Sequence, residues 1–248
     1  MADLSETEGF YRRLFTENPS WSTRYPNVEE ARRAAKILPL LSERARERPG
    51  GQRILDLGCG RGWLTNLAHA YGECVGVDPV RPVVEFARER FPELRFEAGT
   101  AGDLLGAGEA AAYDVVLASE VIEHVPASER AGFVADIRGL LAPGGAVILT
   151  TDRGELQKRW ARRKETTEQP EENWLTEREV RRLFEGQGFT VGAQDRAYFE
   201  VPELSMFHRL VASSRLARAL DATRQRWLLD GLRYAAANCQ VWLFRLES

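Results

Sequence analysis

Residues 54 to 65 read "ILDLGCGRGWLT". The first four continue a short apolar run from Arg53, Gly58, Gly60 and Gly62 crowd the next turn, and a helical pattern opens near Trp63. Glycine at alternating positions lets a backbone turn tightly and come within contact distance of a ligand, and the helix that follows offers N–H groups with no intrahelical partner. A strand, a glycine turn and a helix predict a nucleotide-like ligand at the strand's carboxyl end. The spacing is G-x-G-x-G, whereas the dinucleotide fingerprint is G-x-G-x-x-G, which argues against a pyrophosphate and a NAD-dependent oxidoreductase. Asp56 argues the same way, because a carboxylate beside the loop repels phosphate and pairs with an ammonium. About twenty residues on, the next apolar run ends in Asp78, where an acid can accept hydrogen bonds from both ribose hydroxyls.

Outward from this segment, short apolar runs alternate with helical patterns. "RILDL" (53–57), "CVGVD" (74–78), "LRFEA" (94–98), "YDVVLAS" (113–119) and "AVILTT" (146–151) are bounded by Gly, Pro, Asp or charged clusters. They are almost continuously apolar, as strands covered on both faces of a parallel sheet are. With "FTVGAQ" (189–194) and the closing "CQVWLFRLE" (239–247), they predict an α/β fold, a doubly wound Rossmann-like sheet of about seven strands. N-terminal helices precede it, and a helical insertion comes before the last strand. Asn27 with Glu30, and Thr176 with Glu179, have the form of capping boxes that open helices. The expected organisation is an N-terminal helical lid over 1–50, a cofactor-binding core over 51–203, the insertion over 204–236 and the final core strand over 237–248.

Composition sets the class. The 248 residues are 44% hydrophobic and 29% charged, which is ordinary for one globular domain with an elaboration. A net charge of -3 argues against nucleic acid as the general partner. Cys59, Cys74 and Cys239 are too scattered for a disulfide framework or a CxxC zinc site, so a reducing cytoplasmic setting is expected. The acidic start "MADLSETEGF" has no leader pattern, and no apolar run approaches a membrane span. Oligomeric state is open, a dimer included. The basic run at Lys158, Arg159, Arg162, Arg163 and Lys164 reads as a solvated helix face. His69 reads as a packed or exposed helix residue, and Cys59 as a small turn residue with no paired base.

Four segments in order, "ILDLGCGRGWLT", "GVDP" (76–79), "YDVVLASEVIEHV" (113–125) and "LLAPGGAVILTT" (140–151), make the chain resemble the class I S-adenosylmethionine-dependent methyltransferases. The resemblance covers residues 50 to 200. It implies S-adenosyl-L-methionine as cofactor, bound by Asp56, Gly58, Cys59, Gly60, Asp78, Pro79, Thr100, Ala101, Ser119 and Glu120, with the Gly58 to Gly60 stretch facing its methionine part and Asp78 holding the ribose. "FEAGTAGDLL" (96–105) has Thr100 where many members have Asp, so the adenine contact falls to Thr100, the Ala101 backbone or Asp103.

"SEVIEH" (119–124) follows the fourth strand, at the carboxyl edge where such folds bind ligands. Glu120, Glu123 and His124 stand at i, i+3 and i+4, a spacing that one helical turn places on one face. Three readings compete. As a metal site the trio suits Mg or another divalent ion, which would lower the pKa of a substrate hydroxyl. The E-x-x-E-H pattern resembles the ubiquinone-biosynthesis O-methyltransferases and the small-RNA 2'-O-methyltransferases, where it implies bound Mg. The RNA enzymes add a further histidine, for which His208 is the later candidate. As a proton-transfer site, His124 is the general base with Glu123 or Glu120 orienting it. As structure, Glu120 bonds backbone or cofactor groups and His124 packs beneath a loop.

The expected reaction is methyl transfer to a small organic acceptor, most simply a hydroxyl of a natural product, sugar or quinone-like compound. Trp21, Tyr25, Phe207 and Trp227 are candidates for the substrate pocket, with core or dimer packing as their plain alternative. RNA 2'-O-methylation is a rival, and so is a protein that binds the cofactor without transferring a methyl group.

Overall fold

The structure is a computed structural model and describes residues 4–19, 21–161, 173–198 and 210–247. Phe207 and His208 lie outside the described residues, as does most of the basic run.

Seven strands form one sheet in the order β3-β2-β1-β4-β5-β7-β6. β1 (Arg53–Leu57), β2 (Glu73–Asp78), β3 (Arg95–Ala98), β4 (Tyr113–Ser119) and β5 (Leu141–Asp152) run parallel, while β7 (Cys239–Leu246) lies antiparallel between β5 and β6 (Phe189–Ala197). The strand order reverses between β1 and β4, which opens the crevice where ligands bind in doubly wound sheets. The expected alternation of strands and helices holds. β5 starts five residues earlier than its apolar run, because Leu141 pairs with Tyr113 before an irregularity shifts the register.

Successive strand residues point to opposite faces, and both faces are covered. Leu55, Val116, Leu149 and Phe244 pack on one side with Val180 and Phe184 of α8 (Glu177–Glu185). Ile54, Val115 and Ile148 pack on the other with Ile37 and Leu41 of α2 (Val28–Glu47). Both predicted capping boxes close. In α2 the Asn27 side chain accepts from the Glu30 N–H at 2.9 Å and Glu30 Oε2 accepts from the Asn27 N–H at 2.8 Å. Each box satisfies two N–H groups that a helix start otherwise leaves unpaired, worth about 0.5–2 kcal/mol for the cap.

α1 (Leu4–Glu17) lies ahead of α2, and between β1 and β5 run α3 (Trp63–Ala68), α4 (Arg81–Arg90), α5 (Ala101–Gly106) and α6 (Arg130–Leu140). α7 (Gly154–Ala161) follows β5, while α9 (Ser214–Ala222) and α10 (Arg226–Ala236) precede β7 as the expected helical segment before the last strand. His69 is exposed in a short 3-10 turn after α3. Among the described residues, no helix is long and apolar enough to cross a membrane.

Candidate active site

The glycine loop turns as its sequence requires. Gly58 and Gly60 have φ of +74° and +52°, in the left-handed region that side chains with a Cβ avoid. A Cβ on Gly60 would also sit 3.3 Å from the Phe15 ring, which α1 lays over the loop. Asp78 holds the loop from below. Its Oδ2 accepts from the Gly60 N–H at 3.0 Å and its Oδ1 from the Val80 N–H at 2.9 Å, and each carboxylate oxygen retains a second lone pair for a ligand hydroxyl. Asp56 is buried and accepts from the Thr65 hydroxyl at 2.6 Å. Burial raises its carboxyl to about 7, with the nearby Asp78 charge adding to the shift and the Thr65 hydroxyl opposing it. Cys59 is buried, and burial followed by the charges of Asp78 and Asp56 pushes its thiol well up, so it is no thiolate nucleophile.

Beside the loop opens a cavity of about 340 Å³. Of the residues the sequence singled out, Trp21, Asp56, Gly58, Cys59, Gly60, Ser119, Glu120, Glu123 and His124 border it. Asp78, Pro79, Thr100 and Ala101 follow along the ends of β2 and β3, so the cofactor candidates run in one line across the carboxyl edge of adjacent strands. Thr100 and Asp103 cap α5 reciprocally, with the Asp103 N–H 3.2 Å from Thr100 Oγ1 and the Thr100 N–H 2.8 Å from Asp103 Oδ2. Their side chains serve the helix start. Two of the substrate-pocket candidates lie away from this cavity: Tyr25 is 76% exposed and Trp227 68% exposed, and neither borders it. Tyr25 contributes its carbonyl instead, accepting from Arg61 Nη2.

SEVIEH does not form one helical face. Glu120 directly follows β4 in a bend with φ of +58°, and only Ile122–His124 make a single 3-10 turn. Glu120 Oε2 lies 3.5 Å from Arg33 Nη1, and its Oε1 accepts from the Thr150 hydroxyl at 2.9 Å. Since Thr150 donates there, it receives the Ser119 hydroxyl at 2.9 Å, a relay from Ser119 through Thr150 to Glu120. Glu123 is buried and accepts from the Thr151 hydroxyl at 2.9 Å. Burial first, then the charges of Glu120 and Asp152, pushes its carboxyl well above the usual range. His124 borders the cavity and meets Tyr11 edge to face, with ring centroids 6.0 Å apart. Among the described residues no three His, Cys, Asp or Glu side chains are arranged to hold a metal ion. With Arg33 on Glu120, the trio as it stands does not fit a divalent cation.

Sequence reasoning missed Arg33, Arg61, Asp152, Gln157, Trp174 and Asn238, all of which border the cavity. Arg33 recurs four residues before Ile37 on the inward face of α2, a helical spacing that could have marked it. Gln157 reaches the site from α7, and the others reach it from loops and a strand end that no local pattern announces.

A cofactor cradle at the switch point of a doubly wound sheet, with two acids lined along the strand ends, defines an α/β protein for a nucleoside cofactor. A family model described as "Methyltransferase domain" matches residues 28–194. The chain belongs to this family, the S-adenosylmethionine-dependent methyltransferases. Among curated relatives, the ubiquinone biosynthesis O-methyltransferase of Azorhizobium caulinodans is 39% identical over 106 residues, 41% of this chain and 40% of its own length. That of Xanthomonas axonopodis pv. citri is 32% identical over 112 residues, 43% of this chain and 46% of its own. The match thus spans about two fifths of these relatives' length. A protein of Pyrococcus horikoshii superposes with a TM-score of 0.62 at 20% identity, over 96% of this chain and 99% of that one. The 1,6-didemethyltoxoflavin-N1-methyltransferase of Burkholderia thailandensis, solved with S-adenosylhomocysteine, superposes at 0.61 and 17% identity, over 100% and 92%. The structural likeness confirms the fold.

Proposed function

We propose that the protein transfers the methyl group of S-adenosylmethionine to a hydroxyl of a small organic acceptor, quinone-like or of similar size, with His124 as general base. The observation that carries this is one cavity bordered both by the Asp56 to Gly60 cradle and by His124.

When bound, the cofactor supplies an already activated sulfonium methyl. What remains for the chain is alignment of the nucleophile and removal of one proton. Asp56, at the methionine end, pairs with the ammonium; the glycine loop gives close backbone approach; Asp78 receives the ribose hydroxyls. Phe15 and Trp21, with rings 6.3 Å apart edge to face, roof the loop and keep water off. His124 would take the proton of the acceptor hydroxyl, while the bound cofactor would supply the methyl group to that oxygen. Glu120 is engaged by Arg33, and Glu123, its carboxyl pushed up by burial, is bonded to the Thr151 hydroxyl, so the imidazole is the basic group best placed on that wall.

The similarity to ubiquinone biosynthesis O-methyltransferases supports an oxygen acceptor. The carboxyls of Glu29 and Asp152 border the same cavity. They repel a phosphate backbone, which favours a small acceptor over RNA. The test is methyl incorporation from labelled cofactor into a panel of phenols, quinols and sugars. His124→Gln should lower turnover by about 10²–10⁴-fold with S-adenosylhomocysteine affinity held within a few-fold. Tight binding of S-adenosylhomocysteine with no acceptor methylated by the wild type would leave a binding protein instead.

A further inference from the structure

The acids of SEVIEH already have a cation. Glu120 Oε2 and Arg33 Nη1 are 3.5 Å apart, and the Arg33 side chain is 8% exposed. Arg33 cannot swing away cheaply, because α2 is anchored on both sides of it. Glu30, one turn before, grips Arg61 of the glycine loop at 2.5 and 2.6 Å, and Ile37, one turn after, is sealed in the core. The other Glu120 oxygen is taken by Thr150, with the Cys239 thiol 3.7 Å away, and Glu123 is taken by Thr151.

A divalent ion needs carboxylate oxygens at about 2.0–2.6 Å, turned towards one point and remote from other positive charge. Here Glu120 leaves the strand in the left-handed region and turns to α2, so its carboxylate meets a guanidinium where a metal would stand. Guanidinium and divalent ion serve the same electrostatic need, a fixed positive charge beside developing negative charge on an acceptor oxygen, and a guanidinium does so without titrating.

We propose that Arg33 is a positioning residue standing in place of a divalent cation, holding Glu120 at the acceptor end of the cavity so that this enzyme works without a metal. The proposal rests on the methyltransferase reading above and deepens it. It also predicts that a cation site is latent in the chain, kept closed by one side chain.

The test begins with S-adenosylhomocysteine binding by calorimetry, whose failure would count against the methyltransferase reading itself. The protein saturated with this product is then titrated with Mn²⁺, followed by electron paramagnetic resonance, and with Mg²⁺ by calorimetry. The wild type and Arg33→Lys, which keeps the charge, should show no saturable binding, and EDTA should leave S-adenosylhomocysteine affinity unchanged. Arg33→Met should gain saturable Mn²⁺ binding, and adding Glu120→Gln should remove it. A merely structural role for Arg33 would not create a metal site. Saturable binding by the wild type that is lost in Glu120→Gln would overturn the proposal, as would a folded Arg33→Met that binds no metal. Should Arg33→Met fail to fold, the wild-type and Arg33→Lys titrations decide alone.

Discussion

Arg61 of the glycine loop and Glu30 of α2 form a two-pronged ion pair at 2.5 and 2.6 Å, with both side chains 1% exposed. The guanidinium also donates to the carbonyls of Thr23 at 2.8 Å and Tyr25 at 3.2 Å, so one side chain ties loop, connector and helix together. Removing one partner strands a buried charge, which typically costs about 3–5 kcal/mol. Arg61→Met should therefore lower the unfolding free energy by that much, with a correspondingly lower urea midpoint, and weaken S-adenosylhomocysteine binding. Adding Glu30→Leu should restore part of the stability, since the uncompensated carboxylate goes with it. An Arg61→Met midpoint equal to wild type would mean the pair is not closed in solution.

That pair also marks how far the sequence could be read. The strands were legible because covered parallel strands must be continuously apolar, and the loop because left-handed backbone needs glycine. Glu30 was legible as a capping residue from its spacing to Asn27, yet nothing local said that its carboxylate would also receive Arg61, 31 residues away. SEVIEH shows the same limit. Its i, i+3, i+4 spacing suggested one helical face, but Glu120 still belongs to the strand end, where the Glu120 N–H bonds the Thr150 carbonyl of β5 at 2.9 Å. Strand pairing decided the direction of that side chain. Trp21 and Tyr25 were equivalent as aromatics in a loop, yet Trp21 borders the cavity and Tyr25 is exposed.

Gly58→Ala should abolish cofactor binding. At φ of +74° an alanine carries about 1–2 kcal/mol of left-handed strain, and its Cβ would overlap the Val121 side chain, adding about 1–3 kcal/mol of overpacking. Adding Val121→Ala should recover the overlap and leave the backbone part. Thermal unfolding and S-adenosylhomocysteine calorimetry on the three variants check this. Full recovery in the double variant would show that the loop backbone tolerates a Cβ.

Glu123→Gln should cost less than about 1 kcal/mol at pH 7 in urea unfolding, because burial pushes the carboxyl well above its usual range towards the neutral form that an amide mimics, and an amide still accepts from Thr151. Glu123→Ala removes that acceptor as well as the side-chain volume, and should cost about 1–3 kcal/mol through the stranded hydroxyl alone. Equal losses for the two would mean that Glu123 is ionised in the folded protein.

Asp56 gives the pH dependence its direction. Its folded value, about 7, stands above that of an unfolded chain, near 3.8. Below the unfolded value both states hold the proton and the contribution to stability is fully present. As pH rises through the window up to about 7, the unfolded chain has released a proton that the folded one retains, so the contribution is lost. Asp56→Asn, neutral throughout, should therefore flatten the fall in unfolding free energy between pH 4.5 and 7.5. Ligand binding runs the other way. An ammonium pairs with the ionised carboxylate, so S-adenosylhomocysteine affinity should weaken as pH drops below about 7. Binding near neutral pH should release protons, visible as a dependence of the calorimetric heat on the buffer's ionisation enthalpy. In Asp56→Asn both the pH dependence and the proton release should vanish. Proton release that persisted in this variant would place the ammonium on another acid of the cavity.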